Sequence, residues 1–209
     1  MFFTSSEQTD SRLGAGLLRQ EATLALQILQ GKLTALRIRL DGPGEIVGVE
    51  GANLLSWRVV PTEGTRALEV QFSRPIEQTG SITVRSQTEL GGFPIRVEPL
   101  RLSPEGVVRH SGFLRVANDG AVRLEVAEAS GMMQLAPEQY PEDDLDADEV
   151  RQVFVYRFPA ANYSYRLLAS QIQPEVGVSA ILTYELGETD RTIAASLELD
   201  IREAPLRDW

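Results

Sequence analysis

The sequence predicts an all-β fold: an antiparallel β-sandwich, of ordinary or extended super-sandwich form, with few or no helices. Three observations carry this. Apolar and polar residues alternate with period two over many short runs, turn residues punctuate those runs, and no periodic helical segment stands between them to act as a crossover. Parallel βαβ architecture needs such crossovers, so it is disfavoured.

The alternation is clearest towards the C-terminal end. Val176, Val178, Ala180, Leu182, Tyr184 and Leu186 are apolar, with Ser179, Thr183 and Glu185 between them. Ile193, Ala195, Leu197, Leu199 and Ile201 then alternate with Ser196, Glu198 and Asp200, and Gly187-Glu188-Thr189-Asp190 joins the two runs. Successive strand side chains point to opposite faces, so this reads as a hairpin with one face buried. A second hairpin is expected where Phe113–Ala117 passes through Asn118-Asp119-Gly120 into Val122, Leu124 and Val126, because that tripeptide supplies the positive φ values of a tight turn. Further strands are expected over 36–40, 45–50, 54–60, 66–72, 80–88, 93–102, 150–158 and 163–170. Most are separated by turn residues such as Gly42-Pro43-Gly44, Gly91-Gly92 and Pro159.

Residues 17–30 carry two signals. Their Leu, Ala, Gln and Glu content favours a helix, with Ser11 as a cap and Gly31 as a stop, whereas Ala22, Leu24, Leu26 and Ile28 alternate as a strand would. An apparent repeat decides for the strand. Residues 22–36 align with 195–209, with identities at Ala22/Ala195, Leu24/Leu197, Leu26/Leu199, Ile28/Ile201 and Leu33/Leu206. The domain reading is a polar lead-in over 1–12 and one large sandwich module over 13–209. An acidic loop interrupts the module at 136–149, and residues 193–209 read as the start of a second repeat. On that reading the chain is a piece of a longer, modular protein.

Composition narrows the function. The 209 residues hold 20 Lys+Arg against 30 Asp+Glu, one His, no Cys and 43% hydrophobic residues. A chain of this length buries roughly 70% of its unfolded surface and needs no disulfide or metal staple. Without Cys there is no thiolate nucleophile and no Cys-ligated metal. The net charge of −10 argues against nucleic acid, which needs a basic stripe. No run approaches the ~18 apolar residues of a spanning helix.

Each candidate site has a plain structural alternative. Asp144, Asp146 and Asp148 stand at alternate positions and are the candidate ligands for calcium, which takes several oxygens from one turn. They lack the Gly and distal Glu of the helix–loop–helix site, and the alternative is a solvated acidic loop. His110, beside Ser111, reads as a structural or surface histidine, because adjacent strand residues point to opposite faces and form no dyad. Glu125 and Glu198 sit at solvent-face positions and make no acid pair. Tyr163, Tyr165 and Leu167, and likewise Phe154, Tyr156 and Phe158, share a strand face. They read as core, with a carbohydrate platform as the alternative.

Two resemblances add to this. Leu33–Arg58, with Gly48-Val49-Glu50-Gly51 leading into Leu55-Ser56-Trp57-Arg58-Val59, resembles repeated segments of large uncharacterised bacterial envelope proteins. Arg109-His110-Ser111-Gly112 and Arg151-Gln152-Val153-Phe154-Val155-Tyr156 resemble them too. That resemblance implies an extracytoplasmic, multi-module parent and transfers no site residue. A fainter one is to the β-saddle domains that precede zinc aminopeptidase domains; those are non-catalytic, and the H-E-x-x-H zinc motif is absent here.

The expected function is therefore a non-catalytic structural or protein-interaction module, whose partners are other modules of its parent chain or another protein. The alternative is a carbohydrate-binding sandwich stabilised by calcium. A chelator separates the two readings of the acidic loop: calcium ligation predicts a lowered thermal midpoint, a solvated loop an unmoved one.

Overall fold

The computed structural model describes the chain except for residues 15, 63, 119–121, 142–151, 173–174, 189 and 203–209. Its strands in chain order begin with β1 (Phe2–Leu13), β2 (Leu17–Gln30), β3 (Leu33–Asp41) and β4 (Glu45–Gly51). β5 (Leu54–Thr62), β6 (Thr65–Ile76), β7 (Thr79–Glu89), β8 (Ile95–Val97) and β9 (Arg101–Pro104) follow. The rest are β10 (Arg109–Asn118), β11 (Val122–Ser130), β12 (Met133–Leu135), β13 (Val153–Phe158), β14 (Ser164–Gln171), β15 (Glu175–Leu186) and β16 (Arg191–Arg202). The one helical piece among the described residues is a short 3-10 turn at Pro137–Gln139, and no helix is long and apolar enough to cross a membrane.

The all-β, sandwich-type reading is what the chain forms. A wide seven-stranded sheet runs β12-β13-β10-β1-β2-β7-β4. Two smaller sheets, β5-β6-β3-β9 and β11-β14-β8, cover the same face of it, because both cores draw on the same inward side of β1 and β2. Phe3, Leu24 and Leu26 pack with Leu36, Ile38, Leu68, Val70 and Leu102 of the four-stranded sheet. Leu13 and Leu18, at the other end of the same hairpin, pack with Leu124, Leu167 and Ala169 of the three-stranded one. Among the described residues every strand pair is antiparallel except one: β1 runs parallel to β10.

Four expectations are corrected. The polar lead-in over 1–12 is instead β1, an inner strand of the wide sheet whose odd-numbered side chains from Phe3 to Leu13 are all buried. Only Phe3 and Leu13 mark that inward face as apolar; Ser5, Glu7, Thr9 and Ser11 between them conceal the alternation. The expected hairpin through Asn118 does not pair with itself: β10 bonds to β1 and β13, while β11 bonds to β14 in the facing sheet. Alternation shows that a strand has a buried face but not which strand lies beside it. The 93–102 strand splits into β8 and β9, which join different sheets. The terminal hairpin, read as half buried, has its apolar face in the open, as described below. Residues 17–30 are a strand, paired along their length with β1 and β7.

The parallel crossing of β1 and β10 is tight. Gly112 lies opposite Glu7, and a Cβ there would run into the Glu7 carbonyl and the Phe158 ring. Gly112→Ala should therefore destabilise the chain by about 2 kcal/mol or more, the usual cost of overpacking a dense core, read as a lower urea midpoint at unchanged slope. Deleting residues 2–13 should abolish folding, whereas a true lead-in could be trimmed without loss.

Candidate functional site

Three places in the molecule carry unsatisfied or unusual chemistry. The first is a buried polar band. Between the two hydrophobic clusters, the inward face of β1 presents Ser5, Glu7, Thr9 and Ser11, all buried, and Gln20 of β2 and His110 of β10 join them. The Thr9 hydroxyl donates to Glu7 Oε1 at 2.5 Å. His110 Nε2 stands 3.0 Å from Glu7 Oε2, a close contact outside hydrogen-bond geometry. Gln20 uses its amide as a substitute peptide. Its Nε2 donates to the Leu100 carbonyl (3.1 Å) and the Ser11 hydroxyl (3.2 Å), and its Oε1 accepts from the Leu100 amide at 2.8 Å. Leu100 lies in the short link between β8 and β9, where the chain passes from one small sheet to the other. The band thus supplies hydrogen bonds to a crossing strand that has no ladder of its own.

Aromatic rings close the band. Phe158 lies 5.4 Å from His110 and stacks on Tyr163 at 4.2 Å, and Tyr163 in turn lies 6.3 Å from Tyr165. The Tyr163 carbonyl accepts from Arg101. Burial pushes the phenols of Tyr163 and Tyr165 well up from their usual range, and the nearby Glu7 carboxylate adds to both. His110 was expected to be structural or exposed; it is buried, and its acidic neighbour went unseen because residues 1–12 did not read as a strand.

The second place is the outer face of the wide sheet, where a groove of about 470 Å³ is lined by Asp10, Arg12, Arg19, Glu21, Arg85, Arg115 and Tyr140. Its charges are largely spoken for. Arg85 bridges Glu21 (2.7 Å) and Glu50 (2.5 Å), and these carboxylates hold its guanidinium above the usual arginine range, Glu21 most strongly. Asp10 receives both Arg12 (3.1 Å) and Arg115 (3.0 Å), and Arg115 lies 4.3 Å above the Tyr140 ring. Such a groove is braced by its own ion pairs.

The third place is the β15–β16 hairpin. It forms a two-stranded sheet of its own. Val176↔Ile201, Val178↔Leu199, Ala180↔Leu197, Leu182↔Ala195 and Tyr184↔Ile193 sit directly opposite one another and so share one face. That face is open to solvent: Leu182 is 70% and Leu197 61% exposed. Strands of this length span about 40 Å by 10 Å, giving an apolar patch on the order of 400 Å², the size that marks an interaction surface.

The remaining sequence candidates fall as follows. Asp144, Asp146 and Asp148 lie outside the described residues. Among the described residues no group of three or more His, Asp or Glu is placed to hold a metal ion. Tyr163, Tyr165, Leu167, Tyr156 and Phe158 are buried, while Trp57 and Tyr184 are exposed on separate sheets. Glu125 and Glu198 face solvent and do not pair.

No protein-family model and no curated protein matches the chain. Among solved structures, an M1 zinc metallopeptidase from Deinococcus radiodurans is similar to it with a TM-score of 0.48 and 13% identity, over 93% of this chain and 47% of that one. A two-domain M1 zinc metallopeptidase variant bound to L-arginine gives the same four values. The chain spans about half the length of these enzymes.

Two outcomes follow from the band. Glu7→Leu leaves His110 buried without its acid and should cost about 3 kcal/mol, whereas Glu7→Leu with His110→Leu should cost clearly less than the sum of the singles, in a double-mutant cycle read by urea unfolding. The tyrosines give a pH dependence. Their folded pKa values lie above the unfolded value of about 10, so the folded state keeps protons that the unfolded state releases. Stability is therefore full below pH ~10 and falls above it, by up to about 1.4 kcal/mol per pH unit for each phenol. Tyr163→Phe should flatten that alkaline decline, followed by near-ultraviolet absorbance and unfolding.

Proposed function

We propose that this chain is a non-catalytic structural module that works by protein–protein contact, through the apolar face of β15–β16. The single observation behind this reading is the bare face itself. A two-stranded hairpin is marginal in water, and one presenting eleven apolar side chains on one side, Val176, Val178, Ala180, Leu182, Tyr184, Leu186, Ile193, Ala195, Leu197, Leu199 and Ile201, needs a cover to be a stable part of a protein. The other two places favour a supporting role: the buried band fastens the two small sheets together, and the outer groove is held by its own ion pairs. A parent with several modules gives such a surface its natural partner, since sheet-on-sheet packing buries alternate residues of this kind.

Substituting Leu182→Lys and Leu197→Glu together on the whole chain tests the reading. The unmodified chain should associate with rising concentration and bind a hydrophobic dye. The substituted chain should do neither, while its unfolding free energy from urea titration stays within ~0.5 kcal/mol of the original, as for exposed positions. Association and dye binding that persist after substitution would contradict it.

A further inference from the structure

The terminal hairpin has a counterpart in the same molecule. Glu175 lies 173 residues after Phe2 and Leu186 lies 173 after Leu13, so β15 and β1 start and stop at one constant offset. The pairing holds that offset as well from Phe3 to Leu13, departing only at Phe2, where β1 shifts register and β15 does not. Thr4↔Gln27 becomes Gly177↔Asp200, Ser11↔Gln20 becomes Tyr184↔Ile193, and Leu13↔Leu18 becomes Leu186↔Arg191. The turns agree in their closing bond: the Gly14 amide donates to the Leu17 carbonyl at 3.0 Å, and the Gly187 amide to the Asp190 carbonyl at 2.8 Å. Identities at the offset reach beyond the 22–28 stretch, to Ser6/Ser179, Leu13/Leu186 and Gly14/Gly187. Two amphipathic strands match in apolar positions for free. Matching strand ends, register and turn bond are a separate coincidence, because loop length and register vary independently of the pattern.

We propose that β15–β16 is the opening hairpin of a second copy of this module, and that its bare face docks the two small sheets of that copy, carried by the same polypeptide. This rests on the reading of that face as a protein-docking surface, and it names the partner. In the first copy Phe3, Leu24 and Leu26 are covered by the four-stranded sheet. Val176, Leu197 and Leu199 hold their places in the second and require the same cover. The charged neighbours on the back of the hairpin, Glu185, Glu198 and Asp200, hold solvent-side positions. The copies differ in one respect. Ser5, Glu7, Thr9 and Ser11 are replaced by Val178, Ala180, Leu182 and Tyr184, and Gln20 by Ile193. The second module therefore has no buried acid to meet a histidine, and its core runs unbroken where the first is divided.

The test is to read the parent reading frame onward from residue 209 and to express the polypeptide it encodes. The expected result is a continuation that repeats the strand pattern of residues 33–171 at the 173-residue spacing. In that polypeptide the Gly187–Asp190 turn and its strands should resist a protease that cuts the 209-residue chain there. A frame that stops or continues without the pattern overturns the inference, and so does a hairpin still cut in the presence of the repeat. Those outcomes are distinct from failure of the docking reading itself. If Leu182→Lys with Leu197→Glu abolishes association while the repeat is missing, the face docks a different partner and only the repeat falls.

Discussion

The structure depends on how β1 is shared. It hydrogen-bonds antiparallel to β2 on one side and parallel to β10 on the other, and its inward side chains touch everything laid over the sheet. Phe3 at one end belongs to the core beneath the four-stranded sheet, and Leu13 at the other to the core beneath the three-stranded sheet. Between them the strand is polar, and beside it the chain crosses from β8 to β9 and brings backbone groups that need partners. Gln20 meets them with two hydrogen bonds, to the Leu100 carbonyl and from its amide, and a third bond ties it to the Ser11 hydroxyl. An apolar residue in place of Gln20 would bury more hydrocarbon but would strand the Leu100 peptide, a cost of about 1–3 kcal/mol for each unmet group.

The same feature explains what was readable in the sequence. The strands and turn of β15 and β16 were legible, since one face of each is apolar along its length, although that face is open where the alternation implied burial. β2 was legible through Ala22, Leu24, Leu26 and Ile28, and its strand character followed from its likeness to β16. β1 was not legible, because nine consecutive polar residues from Thr4 to Arg12 look like solvent-exposed chain unless a partner for Glu7 is already known. His110 suffered the same way: with its acid hidden, it was one histidine without a setting.

Pairing partners were the other gap. Periodicity is local, and the choice of neighbour is settled by how two sheets share their cores. Phe113–Ala117 and Val122–Val126 look alike as a hairpin, yet Leu114 and Val116 line one side of a core whose other side is Leu124. The chain turns between layers there instead of along one. In the same way Pro99 and Leu100 interrupt an apparently continuous strand at the point where the chain changes sheets. The β15–β16 face was legible only in part: its strands could be read from the alternation, and what covers their apolar side could not.

Two hairpins of matching register differ in their surroundings, covered at β1–β2 and uncovered at β15–β16. Residue-resolved amide hydrogen exchange on the 209-residue chain measures this directly. Amides from Phe3 to Leu13 and Leu18 to Ile28 should exchange only through global unfolding, while those from Val176 to Ile201 exchange orders of magnitude faster. Equal protection in the two hairpins, or rapid exchange along β1, would contradict it.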